Sequence, residues 1–140
     1  NLPDLLEEAS KISQSCLSPF SYKRWNNHSL RDFISNNFSN DVLESYDILK
    51  PLAYKADLGR LCLLYALGGW YADISLKIVS PVLSQVPVQG LCFFRDYGSG
   101  IPSPMANTFD VMNSLICAES GHPALKLCID QIVNNVQNKY

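Results

Sequence analysis

Asp57, Arg60 and Asp73 are the residues whose types and spacing could carry chemistry in this chain. Asp57 and Arg60 stand three apart in Lys55-Ala56-Asp57-Leu58-Gly59-Arg60 and share one face if that segment is helical. A carboxylate accepts from two hydroxyls and a guanidinium donates to their oxygens, so the pair suits a polyhydroxylated ring. The same spacing also serves an ordinary ion pair on a helix surface. Asp73 lies in an otherwise apolar run, Trp70-Tyr71-Ala72-Asp73-Ile74. A carboxylate there is costly unless it sits at a strand end facing a ligand, a metal or a donor. Capping of a neighbouring helix or turn is the other reading.

The elements that must position these residues are legible around them. Pro51 opens a helix over about Leu52 to Leu67, whose second half is apolar on every side and therefore buried. Gly68-Gly69 supplies a left-handed stop. Trp70 to Ser75 is expected as a buried strand, and Lys77 to Val79 as its continuation or a separate extended piece. The helix delivers Asp57 and Arg60, and the strand delivers Asp73, to one sheet edge.

The flanks alternate between helix and strand. Asp4 to Gln14 has Leu5, Leu6, Ala9 and Ile12 at helical spacing, behind Pro3. Phe20 to Trp25 alternates aromatic and polar residues and predicts a short strand. Ser29 is expected to cap a helix running to about Asn37, with Asp32 as capping-box partner. Ser39 or Asn40 caps the next, with Val42, Leu43 and Tyr46 on one face. Strands are expected at Leu91 to Phe94 and Met112 to Ala118, with a Gly/Pro-containing loop over Tyr97 to Asn107 between them. A last helix over Pro123 to Gln137 should turn Ala124, Leu127, Cys128, Ile132 and Val136 inward. The class is therefore α/β.

Bulk properties exclude several functions. The chain has 140 residues and a net charge of −2, enough for a single domain over 1–140 with a modest core. Lys and Arg are scattered, so nucleic acid is not an expected partner. No apolar run approaches the roughly 20 residues of a membrane helix. The five cysteines form no CxxC or Cys/His cluster and are read as free, mostly buried thiols of a reducing compartment. A cytoplasmic location, with work at the membrane surface, fits them. The chain begins at Asn1 rather than Met, so a fragment of a longer catalytic domain, or a processed product, is expected. His122 and His28 are read as turn or capping residues rather than bases. Asp96, at a strand end beside the Gly/Pro loop, is the extra candidate for the site.

The pattern Lys55-Ala56-Asp57-x-x-Arg60, seven residues, then Gly68-Gly69-x-Tyr71-x-Asp73 resembles the sugar-binding region of glycosyltransferases that contain a DXD motif. These are mannosyltransferase-like enzymes of yeast outer-chain synthesis, their bacterial capsule and lipopolysaccharide relatives and, more distantly, clostridial glucosylating toxins. Tyr22 to Asn27, and Asn113 to Ala118 with Gly121-His122-Pro123 and the helix that follows, extend the resemblance to roughly Tyr22 to Val136.

The resemblance implies a GT-A-like nucleotide-sugar fold, in a partial or minimal version, and retaining transfer of a hexose from a UDP- or GDP-sugar to a polysaccharide or glycolipid acceptor. It implies that Asp57 and Arg60 hold donor hydroxyls, that Tyr71 lies beside the donor, and that Asp73 contacts the ribose and sugar. In the family a second aspartate coordinates Mn2+ or Mg2+; here Ser75 occupies that place, leaving Asp73 with a poor second ligand. Gly59, inside the donor helix, also departs from a good helix former. Two alternatives follow: a degenerate, non-catalytic sugar-nucleotide-binding or scaffolding domain, and a protein-modifying transferase of the toxin kind.

Overall fold

The structure, a computed structural model, describes residues 3–18, 20–81, 83, 88–96 and 110–139. Five helices and three strands follow in the order α1 (Asp4–Cys16), α2 (Asn27–Asn37), α3 (Asn40–Ile48), α4 (Leu52–Leu67), β1 (Gly69–Ala72), β2 (Leu91–Asp96), β3 (Asp110–Ala118) and α5 (Pro123–Gln137). The result is a mixed helix-and-sheet fold of the expected α/β class. The strands pair antiparallel in the order β1-β3-β2, with Trp70 opposite Cys117 and Cys92 opposite Cys117 on the other side.

Helix α4 organises the molecule. Leu58, Cys62 and Leu63 pack into one cluster with Leu30 and Ile34 of α2, Val42 and Tyr46 of α3, and Ile129 of α5. Leu64 joins a second cluster with Ile116 and Ala118 of β3 and Leu125 of α5. The helix is thus covered by helices on one side and the sheet on another. This is the burial that its all-round apolar sequence requires.

Gly68 ends α4 at φ +67° and ψ −168°. That is not the left-handed helical stop expected from the diglycine, but an extended conformation at positive φ that is almost confined to glycine. A Cβ at Gly68 would also lie 2.8 Å from the Ser120 backbone nitrogen. The Gly121 N–H then donates to the Tyr65 carbonyl at 2.7 Å, tying the β3–α5 turn to the end of α4.

Several expectations need correction. Residues 21–26 form no strand: the Tyr22 hydroxyl bonds Ser10 Oγ at 3.0 Å, and Trp25 packs edge-on against Phe33. The alternation there serves two helices rather than a sheet. The cap of α2 is Asn26, with Ser29 as its reciprocal capping-box partner, because Asn26 Oδ1 reaches the Ser29 N–H at 2.8 Å. β1 stops at Ala72. The Asp73 N–H still donates to the Ser114 carbonyl at 2.8 Å, but the Leu76 N–H turns back to the Asp73 carbonyl at 2.9 Å, putting Ile74 and Ser75 in a turn.

In α5 the buried residues are Leu125 and Ile129, whereas Leu127 is 70% exposed and Cys128 is exposed. The expectation holds in part: Ile132 packs against the core as expected, but Leu125 and Ile129 take the deepest places in the stripe. The cysteines are free, but only Cys62 and Cys117 are buried. Residues 77–79 continue no strand; the Ile78 N–H donates to Ser13 Oγ of α1 at 2.9 Å. β2 and β3 run longer than expected, and the loop expected over Tyr97 to Asn107 lies outside the described residues.

Candidate functional site

Arg60 is the hinge of the site. It sits on the sheet-facing side of α4 and is only 6% exposed. A buried guanidinium is tolerable only when its donors are used. Nε donates to the Ala56 carbonyl at 3.3 Å, and Nη1 to the Asn113 carbonyl of β3. Nη2 lies 3.1 Å from Asp57 Oδ1 and 3.3 Å from Asp73 Oδ1. The guanidinium carbon stands 5.0 Å from the centre of the Tyr71 ring.

Both carboxylates are therefore held through one oxygen. Asp57 Oδ1 is ion-paired with Arg60 and accepts, at 3.4 Å, from Asn113 Nδ2. Asp73 Oδ1 is ion-paired with Arg60 and accepts from the Tyr71 hydroxyl at 2.7 Å. Among the described residues nothing bonds either Oδ2. The side chains of Asp57 and Asp73 remain 40% and 28% exposed. Two free carboxylate oxygens, oriented by one buried cation, form a rack for hydroxyl donors. Burial and the bond to Asp73 push the Tyr71 hydroxyl well above its ordinary pKa, so it stays a donor.

Four of the six site residues expected from the sequence come together: Asp57, Arg60, Tyr71 and Asp73. Arg60 was expected to reach ligand hydroxyls directly, but its donors turn to protein acceptors. Ser75 is exposed in the turn after Asp73 and makes no bond to the cluster. Asp96 is the last residue of β2, opposite Asp110. Asp110 lies four residues along β3 from Ser114, about 13 Å at strand spacing, so the Asp96 backbone stands at the same end of the sheet but outside the cluster. Sequence reading missed Asn113 as a site residue. Its side chain is exposed, so no burial pattern in the sequence marked it.

Among the described residues the donor set does not fit a resident dication. Hard divalent ions take several oxygen ligands with more than one carboxylate among them. Here Asp73 offers one free oxygen, Ser75 a neutral hydroxyl, and the Arg60 cation already lies within 3.3 Å of the carboxylates. Among the described residues no three His, Cys, Asp or Glu side chains cluster for a metal. His122 and His28 are as expected. His122 caps α5 through Nδ1 to the Ala124 N–H at 3.3 Å, and His28 sits in the first turn of α2, 3.4 Å from Asp32. Among the described residues no helix is long and apolar enough to cross a membrane.

Comparison with known proteins gives a family match that spans these residues. The glycosyltransferase sugar-binding region containing DXD motif matches residues 5–89, more than half of the chain, and includes Asp57, Arg60, Tyr71 and Asp73. An uncharacterized glycosyltransferase of Acanthamoeba polyphaga mimivirus is 38% identical over 72 residues, covering 49% of this chain. The matched stretch is 29% of that viral protein, so the chain spans well under two thirds of its length. No solved structure matches the chain.

Proposed function

The chain belongs to the glycosyltransferase family defined by the DXD-containing sugar-binding region, and from that premise we propose that it binds the hexose of a UDP- or GDP-sugar and transfers it, with retention, to a polysaccharide or glycolipid. The observation that carries this reading is the pair of Oδ2 atoms on Asp57 and Asp73 that no described residue bonds, with both Oδ1 atoms ion-paired to Arg60 Nη2. In this reading Asp57 and Asp73 accept from donor hydroxyls. Arg60 is a positioning residue that holds both carboxylates, Asn113 steadies Asp57, and Tyr71 steadies Asp73. The fold would be a GT-A-like one, carried by this chain as one donor-sugar-binding domain of a cytoplasmic enzyme that meets its acceptor at the membrane surface.

Transfer breaks the bond between the anomeric carbon and the diphosphate oxygen and forms one to an acceptor hydroxyl oxygen. In the family a Mn2+ or Mg2+ ion would supply charge neutralisation of the diphosphate leaving group. Among the described residues no group of side chains supplies that role, and the Asp96 backbone lies outside the cluster. Ser75 in place of a second carboxylate therefore supports a second reading, in which the chain binds the nucleotide sugar without transferring it.

Thermal stabilisation by UDP- and GDP-hexoses tests the donor site, because a ligand of the folded state raises the melting temperature. The expected result is a shift with one donor that Asp73→Asn abolishes. A chain that melts cooperatively and shifts with no donor would sink both readings. A shift without any turnover, with the acceptor polymers supplied, would favour the binding domain.

A further inference from the structure

A shallow cleft of about 200 Å3 opens beside the site, between the end of α3, the first turns of α4 and the last turns of α5. It is lined by Leu49, Tyr54, Asp57, Ile132, Asn135 and Val136. Tyr54 precedes Asp57 by one helical turn and so shares its face. Asp57 is common to the cleft and to the carboxylate rack, which makes the two contiguous.

We propose that this cleft is an acceptor subsite that takes one neutral hexose ring of the saccharide being extended. The proposal rests on the donor reading above for the word acceptor, but its own argument is the chemistry of the lining. A pyranose ring has an apolar C–H face and an edge of hydroxyls. The cleft offers an aromatic ring and three aliphatic side chains for the face, and the Asp57 carboxylate and Asn135 amide for the edge. Tyr54 is 57% exposed, leaving much of its ring available as a platform.

Size and charge exclude the other occupant. Pockets for drug-sized ligands run to roughly 300–1,000 Å3, so this one holds a ring rather than a nucleotide. Among the described residues the lining contains a carboxylate and no Lys or Arg, which disfavours a phosphate. A neutral sugar placed here lies next to the carboxylate proposed to hold the donor, as transfer between them requires.

The test uses the isotopically labelled 140-residue chain, titrated with methyl glycosides of glucose, galactose, mannose and N-acetylglucosamine, and separately with UMP and GMP. At least one glycoside should shift the Tyr54 backbone amide and the Asn135 side-chain amide. Tyr54→Ala should weaken that glycoside about two- to tenfold, and Tyr54→Phe should retain it. Folding of both variants is read from the same spectra. No movement of Tyr54 and Asn135 with any glycoside, or movement with UMP or GMP instead, overturns the subsite. If glycosides move these signals while no sugar nucleotide raises the melting temperature, the donor reading fails and the saccharide site stands. The reverse pattern overturns the site alone.

Discussion

The Tyr71 hydroxyl donates to Asp73 Oδ1 at 2.7 Å, with one residue between them in the chain. Strand geometry points side chains two apart to the same side, so the end of β1 builds this bond locally. Tyr71→Phe should remove it, leave the ring over Arg60, and cost about 1 kcal/mol in chemical denaturation. It should also weaken the donor-induced melting shift. An unchanged midpoint together with an unchanged shift would mean that the bond steadies nothing.

Arg60 should be far less replaceable. Arg60→Ala leaves two carboxylates without their common cation, a change that costs about 3–5 kcal/mol for fully buried pairs. Asp57 and Asp73 keep water on 40% and 28% of their side chains, so the lower end, about 3 kcal/mol, is expected. Arg60→Lys should recover only part, since an ammonium cannot reproduce the planar fork. Urea midpoints measure both; a loss below about 1 kcal/mol for Arg60→Ala would contradict the geometry.

Gly59 is explained by packing rather than by ligand. A Cβ there would lie 2.4 Å from Leu30 Cδ2 and 3.2 Å from Leu30 Cγ, and Leu30 is buried in the α2–α3–α4 cluster. Gly59→Ala gains about 1 kcal/mol of helix propensity but overpacks the core at a cost of about 1–3 kcal/mol. The expected net is a loss of up to about 2 kcal/mol. Gly59→Ala should lose less, or gain, in a Leu30→Ala background, so the double-mutant cycle should show coupling. Additive effects would place the glycine's role elsewhere.

Ser75→Asp addresses the metal. The turn closed by Leu76 N–H and the Asp73 carbonyl puts position 75 two residues beyond the first aspartate. A second carboxylate there should raise Mn2+ affinity by about tenfold or more, equivalent to about 1.4 kcal/mol, in a direct Mn2+ titration. No gain in affinity would show that the turn, and not only the side chain, prevents coordination.

Alkaline pH should destabilise the fold through Cys62. Complete burial pushes its thiol from 9.0 to about 12. Below pH 9 both folded and unfolded chains keep the proton. Above it the unfolded chain releases the proton and the folded chain does not, so stability falls until about pH 12, by roughly 4 kcal/mol in all. Tyr71 and Tyr46, both raised above 10.0, add to the fall from that pH upward. Cys62→Ala should flatten the pH dependence of the urea midpoint between about pH 8 and 11. Equal slopes in both proteins would mean that the thiol is not the cause.

Local pattern was enough for the elements around the site. The all-round apolar half of α4 announced burial, Pro51 and Gly68 marked its ends, Asp57 and Arg60 stood out by their spacing and Asp73 as a carboxylate among apolar neighbours, while Tyr71 entered only through the family resemblance. These are short-range rules, and the chain states them directly. What the sequence could not decide was set by contacts between distant residues. Whether residues 21–26 pair as a strand depends on a neighbour that the segment does not encode. The inward face of α5 depends on packing against α4 and β3, which bury Leu125 and Ile129. Arg60 turned from a ligand contact into a holder of carboxylates because β3, more than fifty residues away, brings the Asn113 carbonyl to its Nη1. Gly59 needed Leu30 of α2 to give it a reason. The sequence by itself determined which groups must find partners; the tertiary structure alone decided who the partners are, because a buried charge or a missing side chain is settled by whatever packing brings within a few ångströms.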